Sequence, residues 1–265
     1  MNYNYYFLNT SLLSVAIAIE MDLYKKEFSK FDVLLMNFEK TSTPMSNNCY
    51  YVKEYTLGDC GICDKVVYIN LSDSKWLYYL FTVIECIIIK NLSSQTICLH
   101  GSGIFSNHGS IIFVGKKNIG KSTIIKKLLK LPQYSYVDDD IIMVSEGLVW
   151  GPGLPMKSRE CDSICAMECN GETRYLTNYI KKSSHPQKVM SIIYPTYNAT
   201  AQNELKVLSA SQSFRYLYEN IKTGEVSLCI KTLVELSVKC QAFKLTYSTD
   251  EFLYASIENI INNIQ

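Results

Sequence analysis

The chain has no excess of charge of either sign: 26 lysines and arginines stand against 25 aspartates and glutamates, a formal net charge of +1. A protein built to neutralise nucleic-acid phosphates carries a basic surplus, so no nucleic-acid partner is expected. There is also no apolar run long enough to cross a bilayer, and no membrane association is expected. The early stretch FLNTSLLSVAIAIEMDLY is short and interrupted, and it lacks the basic flank and small-residue cleavage site of a secretory signal. The stretch WLYYLFTVIECIIIK, from Trp76 to Lys90, contains Glu85 and reads as a buried core helix. Internal repeats and low-complexity tracts are missing. The ten cysteines are irregularly spaced, and in the absence of a secretory signal they read as reduced thiols of a cytoplasmic protein rather than a disulfide framework. Cys60 and Cys63 make a C-x-x-C, but no second pair stands at the spacing a zinc site needs. Cys161, Cys165 and Cys169 recur every four residues, which on a helix is one face, where thiols pack.

What is present is a large apolar fraction: 48% of residues are hydrophobic and 19% charged, enough for a sizeable core. The pattern divides the chain into a small N-terminal region, 1–74, and a larger one, 75–265. The first reads as short strands with tyrosine-rich edges, such as NYNYYFL and CYYVKEYTL, and is the expected accessory or substrate-recognition region. The second opens with a helix over Lys75–Leu92 and a strand over QTICLHGSGIF. A turn, SNHG, follows, in which Asn107 and Gly109 suit positive φ, and then a strand, SIIFVG. Further strands are expected at Tyr136–Val144, Leu148–Trp150, Val189–Tyr194 and Ala242–Tyr247. Helices are expected at Ser211–Ile221, Ser227–Val238 and Asp250–Ile264.

The strand SIIFVG runs into Gly115, Lys116, Lys117, Asn118, Ile119, Gly120, Lys121 and Ser122, followed by Thr123. This fits G-x-x-x-x-G-K-[ST], placed between a buried strand and a helix as that motif requires. Glycines let the backbone fold so that successive N–H groups point inward at phosphate, and the helix N-terminus adds the positive end of its dipole. Lys121 would reach the β- and γ-phosphates, the Ser122 hydroxyl would ligate Mg²⁺, and Thr123 could bond another phosphate oxygen. Downstream, YSYVDDDIIM places Asp138, Asp139 and Asp140 together. Three like charges suit no ordinary strand interior, and a carboxylate near the metal is what a nucleotide site needs. Neighbours on a strand alternate faces, so all three cannot enter one site.

The order LHGSGIFSNHGSIIFVGKKNIGKST, then YVDDDIIM, then VWGPGLPMKSRE resembles the HPr kinase/phosphorylase superfamily of protein serine kinases. VMSIIYPTYN, LSASQSFRYLYENI and CQAFKLTYSTDEFL resemble its C-terminal course. The resemblance implies an α/β fold: a P-loop kinase core of the HPr kinase and phosphoenolpyruvate carboxykinase type over 75–265. It implies His100 near the reacting phosphate, a paired aspartate with the first as general base and the second assisting it and the metal, and Arg159 meeting a phosphate. The pair is Asp139–Asp140, directly before the apolar run, or Asp138–Asp139 in the other register. Thr123 stands where the regulatory enzyme has glutamate, and that enzyme's later glycine-rich signature is missing. HPr as substrate, phosphorolysis and a hexamer are therefore not implied. Related kinases accompany gene clusters for ribosomally made peptides, where they phosphorylate a serine. The expectation is an ATP- and Mg²⁺-dependent kinase acting on a serine of a peptide or small protein. A nucleotide-binding regulatory protein and a kinase of a small molecule such as a free amino acid stay open, as does a homo-oligomer.

Overall fold

The computed structural model describes residues 3–9, 13–35, 38–43, 45–55, 61–73, 75–158, 165–169, 173–176, 186–222 and 226–263. It is a mixed α/β structure in two compact units, Met1–Ser93 with Leu154–Asn178, and Ser94–Gly153 with Tyr179–Gln265. In the first, β1 (Tyr3–Asn9), β2 (Ser14–Glu20), β3 (Glu39–Thr41), β4 (Cys49–Glu54), β5 (Gly61–Cys63) and β6 (Val66–Ile69) form a sheet in the order β3-β1-β2-β4-β6-β5. Helices α1 (Met21–Leu34) and α2 (Trp76–Lys90) belong to the same unit, and the Phe31 and Trp76 rings meet at 5.7 Å. The expectation of short strands alone missed α1. Leu23, Phe31 and Leu34 give it a buried face, but Glu27 leaves the helical region (φ −134°, ψ 31°) and interrupts the 3.6-residue pattern. Helix α2 is close to its expected span. No helix among the described residues is long and apolar enough to cross a membrane.

The second unit begins with β7 (Ile97–Leu99), β8 (Gly101–Ser106), β9 (Gly109–Val114) and α3 (Lys121–Leu128), then β10 (Ser135–Asp139), β11 (Ile142–Ser145) and β12 (Leu148–Trp150). The chain then returns to the first unit for β13 (Met156–Ser158), β14 (Cys165–Cys169) and β15 (Thr173–Leu176), a three-stranded sheet in the order β13-β15-β14. Cys165 and Cys169 stand on a strand rather than a helix, since a repeat of four residues is compatible with either period and does not decide between them. Cys60, Cys161 and Arg159 lie outside the described residues. The chain continues with β16 (Gln187–Tyr197), β17 (Glu204–Leu208), α4 (Ala210–Tyr218), α5 (Val226–Lys239), β18 (Gln241–Tyr247) and α6 (Asp250–Asn263).

The large sheet runs β10-β8-β9-β16-β12-β11-β7, with β18 beside β16 and β17 beside β18. β9, β16 and β18 are parallel neighbours, so their carboxyl ends share one edge. β9 is buried along its whole length, as a central parallel strand requires. The strand expected over QTICLHGSGIF breaks at His100 into β7 and β8, and the one expected over Tyr136–Val144 breaks after Asp139 into β10 and β11. In the β8–β9 turn Gly109 has φ +138°, while Asn107 is not among the residues with positive φ. The Ser106 hydroxyl closes that turn by donating to the Gly109 carbonyl (2.8 Å).

Gly151, just after β12, admits no side chain: a Cβ there would lie 2.3 Å from the Val137 carbonyl oxygen and 2.8 Å from Asp138 Cβ. The contact is with the backbone of β10, which cannot give way cheaply. Gly151→Ala should destabilise the protein by about 1–3 kcal/mol in chemical unfolding, the usual cost of overpacking. An unchanged midpoint would show that β10 is not wedged in this way.

Candidate functional site

Residues 115–120 link the carboxyl end of β9 to α3, whose first residues are Lys121 and Ser122. Gly120 caps the helix in the left-handed region (φ +93°), and no side chain caps it. An L side chain at that φ would be strained, which is the local reason for glycine. Among the described residues, no backbone carbonyl accepts from the amides of Lys116 to Ser122. A helix N-terminus with its donors uncommitted attracts anions. At eight residues α3 is too short to persist alone, and it is held by burial of Ile124, Ile125 and Leu128 and by Lys127 pairing with Asp250 of α6 at 2.5 Å.

The Lys121 side chain folds back over the loop. Its ammonium donates to the carbonyls of Gly115 (2.8 Å) and Lys116 (2.9 Å), and the residue is 5% exposed. Burial lowers its pKa, Asp139 and Asp140 pull it back up, and Lys222 lowers it further. Lys116, Lys117 and Asn118 are exposed at the loop tip, Ile119 and Ser122 are half-buried, and Thr123 is exposed on the first turn of the helix.

The three aspartates have separate surroundings. Asp138 faces away from the loop: one carboxylate oxygen accepts from the Asp139 amide (2.8 Å) and the other from the Gly153 amide (2.7 Å). Asp139 stands opposite Ser102 in the β8–β10 ladder, and the Ser102 hydroxyl donates to its carboxylate. The Ser122 hydroxyl does so too. Asp139 is 5% exposed, and burial, then the charge of Asp140, pushes its carboxyl up to about 6 against the pull of Ser102, Ser122 and Lys121. Asp140 ends the strand at φ +75°, an uncommon conformation that costs energy and clusters at functional sites. His100 Nε2 lies 3.6 Å from Asp140 Oδ1, and the His100 carbonyl accepts from the Gly115 amide (3.4 Å).

The structure thus groups Lys121, Ser122, Asp139, Asp140 and His100, and turns Asp138 aside. Two residues that the sequence reading did not single out join them. Ser102 could have been found only from strand register. Lys222 is brought in because Asn220 and Lys222 bond the backbone on either side of Leu99. Among the described residues no three of His, Cys, Asp and Glu gather as a metal cage. Mg²⁺ does not require one, since it keeps waters and takes one or two protein oxygens besides phosphates. The oxygens of Ser122, Asp139 and Asp140 fit that donor set. A separate cavity of about 340 Å³, lined among others by Lys206, Arg215 and Lys244, shares no residue with the loop.

No protein family and no curated protein matches the chain. Among solved structures, the HPr(Ser) kinase/phosphatase from Coxiella burnetii is similar over 63% of this chain and 94% of that one, with 11% identity and a TM-score of 0.30. So low a score carries no argument, and the weight falls on the geometry of the loop and the aspartates.

A carboxyl whose pKa rises on folding binds its proton more tightly in the folded state. Its cost to stability is absent below the unfolded value of 3.8 and complete above about 6. Asp139→Asn should therefore raise the thermal midpoint at pH 8, and the gain should shrink as pH falls toward 4. A lower midpoint than wild type at pH 8 would contradict this account of Asp139.

Proposed function

We propose that the protein is an ATP- and Mg²⁺-dependent kinase that transfers the γ-phosphate to a serine hydroxyl of a peptide or small protein, with a ribosomally made precursor peptide as the candidate substrate. The observation that carries this reading is a buried lysine folded over a loop of uncommitted amides, next to a buried carboxyl poised near neutrality. The amides of 116–122 and Lys121 would hold the phosphates, and Ser122 and Asp140 would hold the metal. Bound Mg²⁺ would supply charge neutralisation of the phosphates. Asp139 accepts the hydroxyl proton as the serine oxygen bonds to the γ-phosphorus and the bond to the β–γ bridging oxygen breaks. His100 would steady Asp140.

One observation favours a second assignment. Ser102 and Ser122 already donate to Asp139, whereas the Asp140 side chain is 30% exposed beside His100. In that version Asp139 serves the metal and Asp140 the proton.

Lys121→Ala should weaken Mg-ATP binding about 10- to 100-fold in calorimetry, the worth of a lost charge-assisted hydrogen bond. Wild-type affinity in the variant would remove the nucleotide from this loop. For the chemical step, Asp139→Asn should keep Mg-ATP binding and slow single-turnover transfer about a hundredfold or more. Wild-type kcat/KM should fall below pH 6, where that carboxyl protonates. If instead Asp140→Asn alone abolishes transfer with binding intact, the second assignment holds. Transfer to free serine but to no serine peptide would replace the peptide substrate with a small molecule.

A further inference from the structure

Gly120, where the loop meets α3, lies against two tyrosines. A Cβ built at Gly120 would sit 3.6 Å from Tyr247 Oη and 4.0 Å from Tyr197 Cβ. Tyr197 and Tyr247 end the parallel strands β16 and β18 and are paired in register. Their rings lie 5.4 Å apart at 59°. The two differ in exposure: Tyr247 is 1% exposed, whereas Tyr197 is 54% exposed. Burial pushes the Tyr247 phenol up to about 12, so it stays neutral. The chain turns immediately after Tyr197. The Asn198 amide donates to the Tyr247 carbonyl (3.0 Å), and the Asn198 side chain accepts from the Thr200 amide and hydroxyl (both 3.0 Å). Tyr197 is therefore carried by a fixed strand end, with a buried ring behind it and its remaining surface open to solvent.

We propose that Tyr197 is the platform on which the base of the bound nucleotide stacks. This rests on the loop being a nucleotide site. Phosphates held by the amides of 116–122 leave the ribose and base to extend past the first turn of α3, beyond Gly120. Tyr197 is the exposed one of the two tyrosines that border Gly120. Tyr247 backs it and keeps the ring from collapsing onto the loop, so little ordering is required on binding. Stacking uses a π-face that every base possesses, so discrimination between adenine and guanine nucleotides is weak. An exposed tyrosine with no such role would leave nucleotide affinity unchanged when truncated.

The test compares Mg-ATP with inorganic triphosphate and Mg²⁺, which offers the phosphates without a base. Dissociation constants are measured by calorimetry for wild type, Tyr197→Phe and Tyr197→Ala. The expected result is that Tyr197→Ala weakens ATP about tenfold or more, within the range for loss of one stacked base, and leaves triphosphate unchanged. Tyr197→Phe keeps the wild-type affinity for both. Unchanged triphosphate binding also shows that the loop of the variant is folded. Wild-type ATP affinity in Tyr197→Ala overturns the platform alone. So does a parallel loss of ATP and triphosphate affinity, which would mean that the ring shapes the loop. If wild type binds neither ligand, the nucleotide reading fails and the platform with it.

Discussion

Taking a lysine ammonium out of water costs several kcal/mol unless oxygen atoms replace the lost hydration. Lys121 meets that demand with two carbonyls of its own loop and the nearby charges of Asp139 and Asp140. Each of these partners is placed by a different part of the fold. The carbonyls depend on β9 ending at Val114 and on Gly120 turning the chain into α3. The carboxylates depend on the ladder that sets Asp139 opposite Ser102, and on the close approach of Gly151 behind β10. A shift of one residue in β10 would exchange the faces of Asp138 and Asp139 and take Asp139 out of its pairing with Ser102.

The same arrangement stores energy. Asp139 and Asp140 repel each other, one of them is nearly dehydrated, and Asp140 adopts a positive φ. A site selected only for stability would have replaced them. Strain of this kind, beside a loop whose amides bond no backbone carbonyl among the described residues, is the observation on which the proposed chemistry rests.

The strand, loop and helix around 115–122 were legible in the sequence because an apolar run that ends in glycine, with a second glycine ahead of an amphipathic segment, marks where β9 stops and α3 starts. The different surroundings of the three aspartates were not. Asp138, Asp139 and Asp140 are chemically identical, and their surroundings, among them the Gly153 amide, Ser102, Ser122 and His100, tell them apart. In the fold, β12, β18 and the helices α2, α4, α5 and α6 followed their apolar periodicity closely, while β16 runs from Gln187 to Tyr197, past both ends of the expected Val189–Tyr194. The pattern failed where the backbone departs from regular geometry: at Glu27 inside α1, at His100 between β7 and β8, and at Asp140 between β10 and β11. It failed also at β17, where ELKVL alternates polar and apolar residues but is short and stays mostly exposed in its pairing with β18.

The central claim is that the amides of 116–122 are the phosphate donors. It is tested most directly by following backbone amide resonances while Mg-ATP is added to the full-length protein. The account predicts that the amides of Lys116 to Ser122 shift together, with one common affinity, ahead of any others. Silence at those amides, with shifts instead at Lys206, Arg215 and Lys244 around the separate cavity, would contradict it.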